Sequence, residues 1–218
     1  PQTGNANYGW ILNMVSKLSD NGVAGFILAN GALSGGGTEY EIRKKLIENK
    51  LVEAILVLPQ NMFYTTNISV TIWILNNNKK ERQVKINEIE KSYRNREDEI
   101  LFFDLRETGV PFEKKYIQFD VDNINNIAET LHTWQQDSGT YKNIPEFCYT
   151  ASLDEIRKKD YSLVPSKYIE FVNRDENISF DDKMKDLKTE FSQLLKEAAK
   201  SKTELLNVFK ELGYEIEL

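Results

Sequence analysis

Residues 51–76 read LVEAILVLPQNMFYTTNISVTIWILN, and no other stretch limits the fold as strongly. Two apolar, β-branched runs of strand length flank a connector that carries Pro59, Phe63, Tyr64 and two threonines. So short a connector joins neighbouring strands, which then pair antiparallel. It leaves Phe63, a large apolar residue, in a loop at one end of a sheet. Loops at the ends of buried strands are where open α/β folds place their chemistry.

The elements around this pair fill out an α/β unit. Residues 6–19 have helical periodicity, with Trp10, Ile11, Met14, Val15 and Leu18 on one side. Residues 23–29 (VAGFILA) are nearly all apolar and predict a buried parallel strand. The glycine-rich stretch 30–37 predicts a flexible loop. Thr38 with Glu41 three residues on predicts a capping box for a helix carrying Ile42, Leu46 and Ile47. Strand–helix–strand implies a parallel pair with a right-handed crossover, and residues 68–75 turn back antiparallel. Three strands make a poor free-standing sheet. An edge strand as apolar as 23–29 is a liability that strands upstream of Pro1 would remove.

Residues 77–99 are highly charged and predict a surface excursion, part helix and part loop. Residues 100–105 return as a strand and 121–134 as a helix. Residues 141–149 are irregular, 152–158 predict a short helix capped by Ser152, and 160–171 are mostly extended around Pro165. From residue 179 the pattern changes. Phe180, Met184, Leu187, Phe191, Leu194, Ala198, Ser201, Leu205, Val208 and Leu212 recur in steps of four and three, a heptad seam that starts at Ser179 and ends at Gly213. At about 1.5 Å per residue this helix is roughly 50 Å long. Its seam either takes a partner helix or folds back on its own domain. The expected division is 1–118, a catalytic-type α/β part; 119–178, a mixed helical and extended extension; and 179–218, a helix for subunit contact.

Composition excludes several function classes. The single cysteine, Cys148, rules out a disulfide framework and a thiolate zinc site, and the single histidine, His132, leaves no His-rich metal site. No metal is expected. No apolar run approaches the roughly 20 residues that span a bilayer, so no membrane span is expected, and the lone cysteine fits a reducing, cytoplasmic setting. The net charge is −6. A domain that holds DNA alone usually shows a basic footprint. Here there are only short clusters, Arg43–Lys45, Lys79–Lys80, Arg94–Arg96 and Arg157–Lys159, each read as a solvated helix end or loop. If nucleic acid is a partner, most phosphate contacts fall to another chain.

No nucleophile–base pair stands out, and the carboxylates lie on faces expected to be solvated. Gly35, Gly36 and Gly37 precede a helix, as in a phosphate cradle, but without the lysine of a P-loop or the spacing of a dinucleotide fingerprint. His132 reads as a packed or surface residue. Cys148, between Phe147 and Tyr149, reads as an inert buried thiol. Phe63 and Tyr64 are the base-stacking candidates, since an aromatic at a sheet end can stack a base for about 1–3 kcal/mol. On the residues alone a core-plugging Phe63 is the default.

The ordered series GNANYGWI, NGVAGFILANGALS, EIRKKLIENKLVEAILVLPQNMFYTTNISVTIWILNNNK, ILFFDLRETG and YKNIPEFCYTASLDEIRKKDYSLVPSKYI resembles the modification subunit of type I restriction–modification systems over nearly the whole chain. The resemblance implies an N6-adenine DNA methyltransferase using S-adenosylmethionine as cofactor, on a Rossmann-like sheet whose last strand is antiparallel. It implies double-stranded DNA with a flipped adenine, a specificity subunit and a restriction subunit as partners. The family's glycine-rich cofactor turn and its Asn-Pro-Pro-aromatic tetrapeptide are not in this sequence, so the expectation is the carboxy-terminal half of the enzyme, inactive alone. No catalytic residue is expected in it, and its own cofactor contacts are unknown. The resemblance matches Phe63 to the aromatic that stacks on the flipped adenine, and so sets that role level with core packing. It suits Phe180, Met184, Leu187, Phe191, Leu194, Leu205, Val208 and Leu212 to contact with the specificity subunit. The other class left open is a non-catalytic module that docks there. Self-association through the strand edge or the helix seam is a further expectation.

Overall fold

The computed structural model describes residues 6–86, 88–136, 139–172 and 179–213. The first five residues, with the start of the expected opening loop, lie outside them. The chain divides into two compact units, Pro1–Val172 and Asn173–Leu218.

The first unit is built on a mixed sheet. Its strands are β1 (Val23–Ala29), β2 (Val52–Val57), β3 (Val70–Asn76), β6 (Glu99–Asp104) and β9 (Cys148–Ser152), in the order β1-β3-β2-β6-β9. The predicted antiparallel pair is present: Ile55 faces Trp73 and Leu56 faces Ile72. β1 is also antiparallel to β3, and β6 is parallel to β2. β1 and β2 therefore point the same way but are not neighbours. The crossover helix α2 (Thr38–Glu48) skips one position, and β3 fills the gap between them. This corrects the expectation of an adjacent parallel pair.

Alternation along β2 and β6 sends side chains to two cores. Ile55, Val57, Trp73 and Phe102 meet Tyr8 and Ile11 of α1 (Asn7–Lys17), Leu46 and Ile47 of α2 and Ile156 of α4 (Leu153–Lys158) on one face. Ala54, Leu56, Leu101 and Phe103 meet Trp134 of α3 (Val121–Gln135) on the other. Each of these sheds apolar surface worth about 25 cal/mol per Å². The second core thins toward β1. There Ala24, Phe26 and Leu28 pack onto the first core, but Val23 and Ile27, on the opposite face, are exposed. β1 is thus a half-covered edge strand, not a buried one, and among the described residues only β3 pairs with it. Among the described residues, backbone meets the edge at β9 only at its first residue, through the turn that leads into it: Ile144 and Cys148 exchange backbone hydrogen bonds of 2.9 Å.

Four local expectations change. Trp10 is 65% exposed, because α1 turns Tyr8 and Ile11 inward. The stretch 30–37 is no free loop: Asn30–Leu33 form a 3-10 turn with Ala32 and Leu33 buried. Gly37, not Thr38, is the N-cap of α2, and no side chain caps it. The charged excursion holds a hairpin, β4 (Arg82–Ile86) with β5 (Ile89–Tyr93). A smaller hairpin, β7 (Val110–Phe112) with β8 (Tyr116–Gln118), follows β6. Capping by Ser152 and Ser179 is as read from the sequence: each side chain accepts from the backbone N–H three residues on. Asp120 forms a capping box with Asn123 at α3.

The second unit contains α5 (Phe180–Glu211), ended by Gly213 at φ +82°. The seam residues Phe180, Met184, Leu187, Phe191, Leu194, Leu205, Val208 and Leu212 are all exposed.

Candidate functional site

The carboxyl ends of β1, β2 and β6 lie along one edge of the sheet, because these three strands share a direction. Three connections leave that edge: the 3-10 turn after β1, the connector 58–69 after β2, and the β7–β8 hairpin after β6.

The connector is held at both ends. Leu58 N–H donates to Val70 O at 2.9 Å and the Ser69 hydroxyl donates to Leu58 O at 2.5 Å. Asn61 sits at φ +60°, a left-handed turn position that asparagine tolerates. Its N–H reaches Asn67 O at 3.3 Å. Phe63 pairs with Thr66 across the loop tip, is half-buried, and packs against the second core. Tyr64 is 68% exposed, with its ring edge-on to Tyr116 at 4.8 Å between centroids. The two candidates therefore separate: Phe63 is anchored by the core, and Tyr64 faces solvent.

Beside the connector, Leu105 N–H donates to Val57 O at 2.9 Å, and Asp104 is buried at the end of β6. Arg106 grips its carboxylate with Nε at 2.8 Å and Nη2 at 2.6 Å. That pairing holds the guanidinium above its usual pKa. A cavity of about 90 Å³ lies between this pair, Asn30, Leu33 and Pro165. Ligand pockets usually enclose about 300–1,000 Å³, so this cavity is too small to enclose a nucleobase by itself.

Gly35 to Gly37 do precede α2, but Arg43 Nη1 donates to Gly35 O at 2.7 Å and the Glu39 carboxylate lies over Gly35. A helix start already facing a carboxylate is a poor anion cradle. His132 is exposed, 3.4 Å from Gln135 Oε1. Cys148 is buried, and burial pushes its thiol pKa up.

At the opposite end of the sheet the sequence reading missed a buried charge cluster. Glu53 and Arg96 have no exposed side-chain surface, and Lys79 is 3% exposed. Glu53 Oε1 accepts from Arg96 Nε at 3.0 Å and from Gln135 Nε2 at 3.1 Å, while Oε2 accepts from Asn76. Lys79 Nζ donates to Val52 O at 2.8 Å and to Glu99 O at 2.6 Å. Burial lowers its pKa to about 8, against the pull of Glu53. The Glu53 position coincides with an extra residue in β2 between the Val52–Leu75 and Ala54–Ile74 pairs, and such bulges re-aim a side chain. Lys79 and Arg96, with Arg43, correct the reading of the basic clusters as solvated. Glu53 corrects the reading of the carboxylates. A signal was present: one glutamate inside LVEAILVL, a run too apolar to leave it in water, demands a buried partner.

An antiparallel strand inserted between two strands of one direction, with an aromatic connector at their carboxyl ends, defines one class of protein: α/β folds of the Rossmann-like methyltransferase kind. The chain belongs to the N-6 DNA Methylase family, which it matches over residues 1–177. It is 36% identical to the type I restriction enzyme HindI methylase subunit of Haemophilus influenzae, over 99% of this chain and 45% of that protein. It is 31% identical to the MjaIX methylase subunit of Methanocaldococcus jannaschii, over 98% of this chain and 36% of that one. The chain thus spans less than half the length of these relatives. Among solved structures, the methyltransferase subunit of the type I restriction–modification system from Streptococcus thermophilus superposes with a TM-score of 0.64 at 25% identity, over 78% of this chain and 31% of that one. The EcoKI M protein shares the fold, with a TM-score of 0.53 at 16% identity, over 97% of this chain and 45% of that one.

Proposed function

We propose that this chain supplies one wall of the target-base site in the modification subunit of a type I restriction–modification system, an enzyme that transfers a methyl group from S-adenosylmethionine to adenine N6 in DNA. The observation that carries this reading is Phe63. It is an aromatic pinned by the core at the carboxyl edge of the sheet, half-exposed where the cavity between the loops is too small to hold a base alone. Extruding a base from a duplex costs a few kcal/mol, and a rigid ring that stacks on it returns part of that. The open edge and half-bare face of β1 fit the reading that further strands, with the cofactor turn and the Asn-Pro-Pro-aromatic motif, complete the site. Residues 1–218 contain neither motif. The isolated chain is then inactive, and S-adenosylmethionine binds it poorly. Incubation with labelled S-adenosylmethionine and unmodified DNA tests this: no transfer above blank is expected, and clear transfer sinks the idea.

The exposed seam of α5 favours a subunit contact, with the specificity subunit as partner and the restriction subunit completing the assembly in the cytoplasm. Delegated sequence reading accounts for the acidic charge. The same seam supports a second reading, a docking module without catalysis. An Asn-Pro-Pro-aromatic motif encoded upstream in the gene decides for the enzyme, and a nearby start codon decides for the module. Self-association of the isolated chain, through β1 or the seam, predicts a dimeric mass by light scattering at high concentration. A monomeric mass rejects it.

A further inference from the structure

The β7–β8 hairpin stands beside Phe63 and belongs to neither core. It is fastened to the connector, since Ile117 N–H donates to Asn61 O at 3.1 Å. Gly109, at φ +115°, lets the chain turn into it where a Cβ would lie 2.6 Å from Ile117. Its tip, Glu113-Lys114-Lys115, is exposed, with Glu113 at φ +53° making the turn. Lys115 Nζ lies 5.1 Å from the Tyr116 ring centroid, and Tyr116 props the exposed ring of Tyr64. Neither lysine forms an ion pair among the described residues. An aromatic ring beside paired lysines is the combination that grips a nucleic-acid strand: the cations meet phosphates and the ring takes a sugar or base face. In a chain of net charge −6, these two adjacent lysines put cations at the edge that holds the base-stacking candidate.

We propose that this hairpin is a DNA-contacting wing of the target-base site, in which Lys114 and Lys115 meet backbone phosphates flanking the flipped adenine and Tyr64 packs on the nucleotide next to it. The proposal rests on the base-site reading of Phe63. It assigns the two neighbouring aromatics different work: Phe63 receives the extruded base, and Tyr64 supports the strand that base has left.

The test uses the full-length subunit assembled with its specificity subunit, and measures affinity for a cognate duplex against salt. K114A/K115A is expected to make the log–log slope shallower by about 1.8, at about 0.9 per phosphate contact. K85A/K91A, on the β4–β5 hairpin, is expected to leave it unchanged. An unchanged slope for the first pair, or equal changes for both, overturns the wing. Melting temperature should not move, since the tip is exposed. A duplex with 2-aminopurine at the target position separates the two ideas. If Phe63→Ala leaves the flipping signal intact while K114A/K115A still loses slope, the base-stacking reading falls and the wing stands. If Phe63→Ala abolishes the signal while the slope is unchanged, the wing falls alone.

Discussion

The two ends of the central sheet are built on opposite terms. At the amino ends of β2 and β6, charged side chains are buried and tied to one another: Glu53 to Arg96, Asn76 and Gln135, and Lys79 to two backbone carbonyls. At the carboxyl ends, Phe63 is half-buried, Tyr64 and Arg106 reach solvent, and the small cavity between the loops is unfilled by side chains. One end spends its polar groups on itself; the other leaves aromatic and polar groups available. The contrast teaches that charge density does not locate a site. The most charged segment of the chain, 77–99, supplies the sealed end.

The largest test of that contrast is Glu53→Ala. Removing one member of a buried ionic cluster strands the others, here Arg96 and Lys79, at a cost of about 3–5 kcal/mol. Urea unfolding should show a loss of that size. A loss below about 1 kcal/mol would mean that water reaches the cluster and that the two ends are not so different. The Arg96 Nη2 atom lies 3.0 Å from Glu53 Oε1 without hydrogen-bond alignment, so Glu53→Gln should recover only part of the loss.

Lys79 gives the same end a pH signature. Its folded pKa, about 8, lies below its ordinary value of 10.5, because burial penalises the ammonium. Between these values the unfolded chain binds more protons than the folded one, so this group makes stability rise with pH across that window. Below pH 8 the penalty is fully present, on the order of 3 kcal/mol for a shift of this size. Chemical denaturation at pH 7.5 and 10 should show a rise for the natural chain that is missing in Lys79→Met. Parallel pH profiles for the two proteins count against a charged, desolvated Lys79.

The open end is tested by Phe63→Ala in the full-length enzyme. Half-buried against the second core, the ring should contribute about 1–2 kcal/mol to folding. On the proposed role, stacking on a flipped base adds about 1–3 kcal/mol to the transition state, a further roughly 5- to 150-fold in turnover. Activity should therefore fall well beyond what the drop in melting temperature explains. Equal losses return Phe63 to the core-plugging role.

How far the sequence carried these assignments depended on range. The strands of residues 51–76, α3, the Ser152 and Ser179 caps and the seam of α5 were legible because each rests on local periodicity or a three-residue spacing. The position of β3 between β1 and β2 was not, since strand–helix–strand fixes direction more firmly than adjacency. Nor was the charge cluster: Glu53 and Arg96 are 43 residues apart, and Glu53 and Gln135 are 82 apart. Composition scores such residues as surface until the pairing is seen. At the open end, Phe63 and Tyr64 stand together in the sequence, but their different settings needed the core behind Phe63 and Tyr116 beside Tyr64, which approaches only once β7 and β8 have paired.

The smallest expected effect sharpens that difference. Tyr64 is mostly exposed, and its aromatic contact is the edge-on one with Tyr116, worth about 0.5–1.5 kcal/mol when desolvated and less at the surface. Tyr64→Ala should change stability by no more than about 0.5 kcal/mol, the usual range for surface positions. Placed beside Phe63→Ala in the same urea titration, it asks whether two adjacent aromatics are held by different things. A loss for Tyr64→Ala as large as that for Phe63→Ala would show that the hairpin and the connector form one packed unit with the core behind them. The open end would then be sealed much like the charged one.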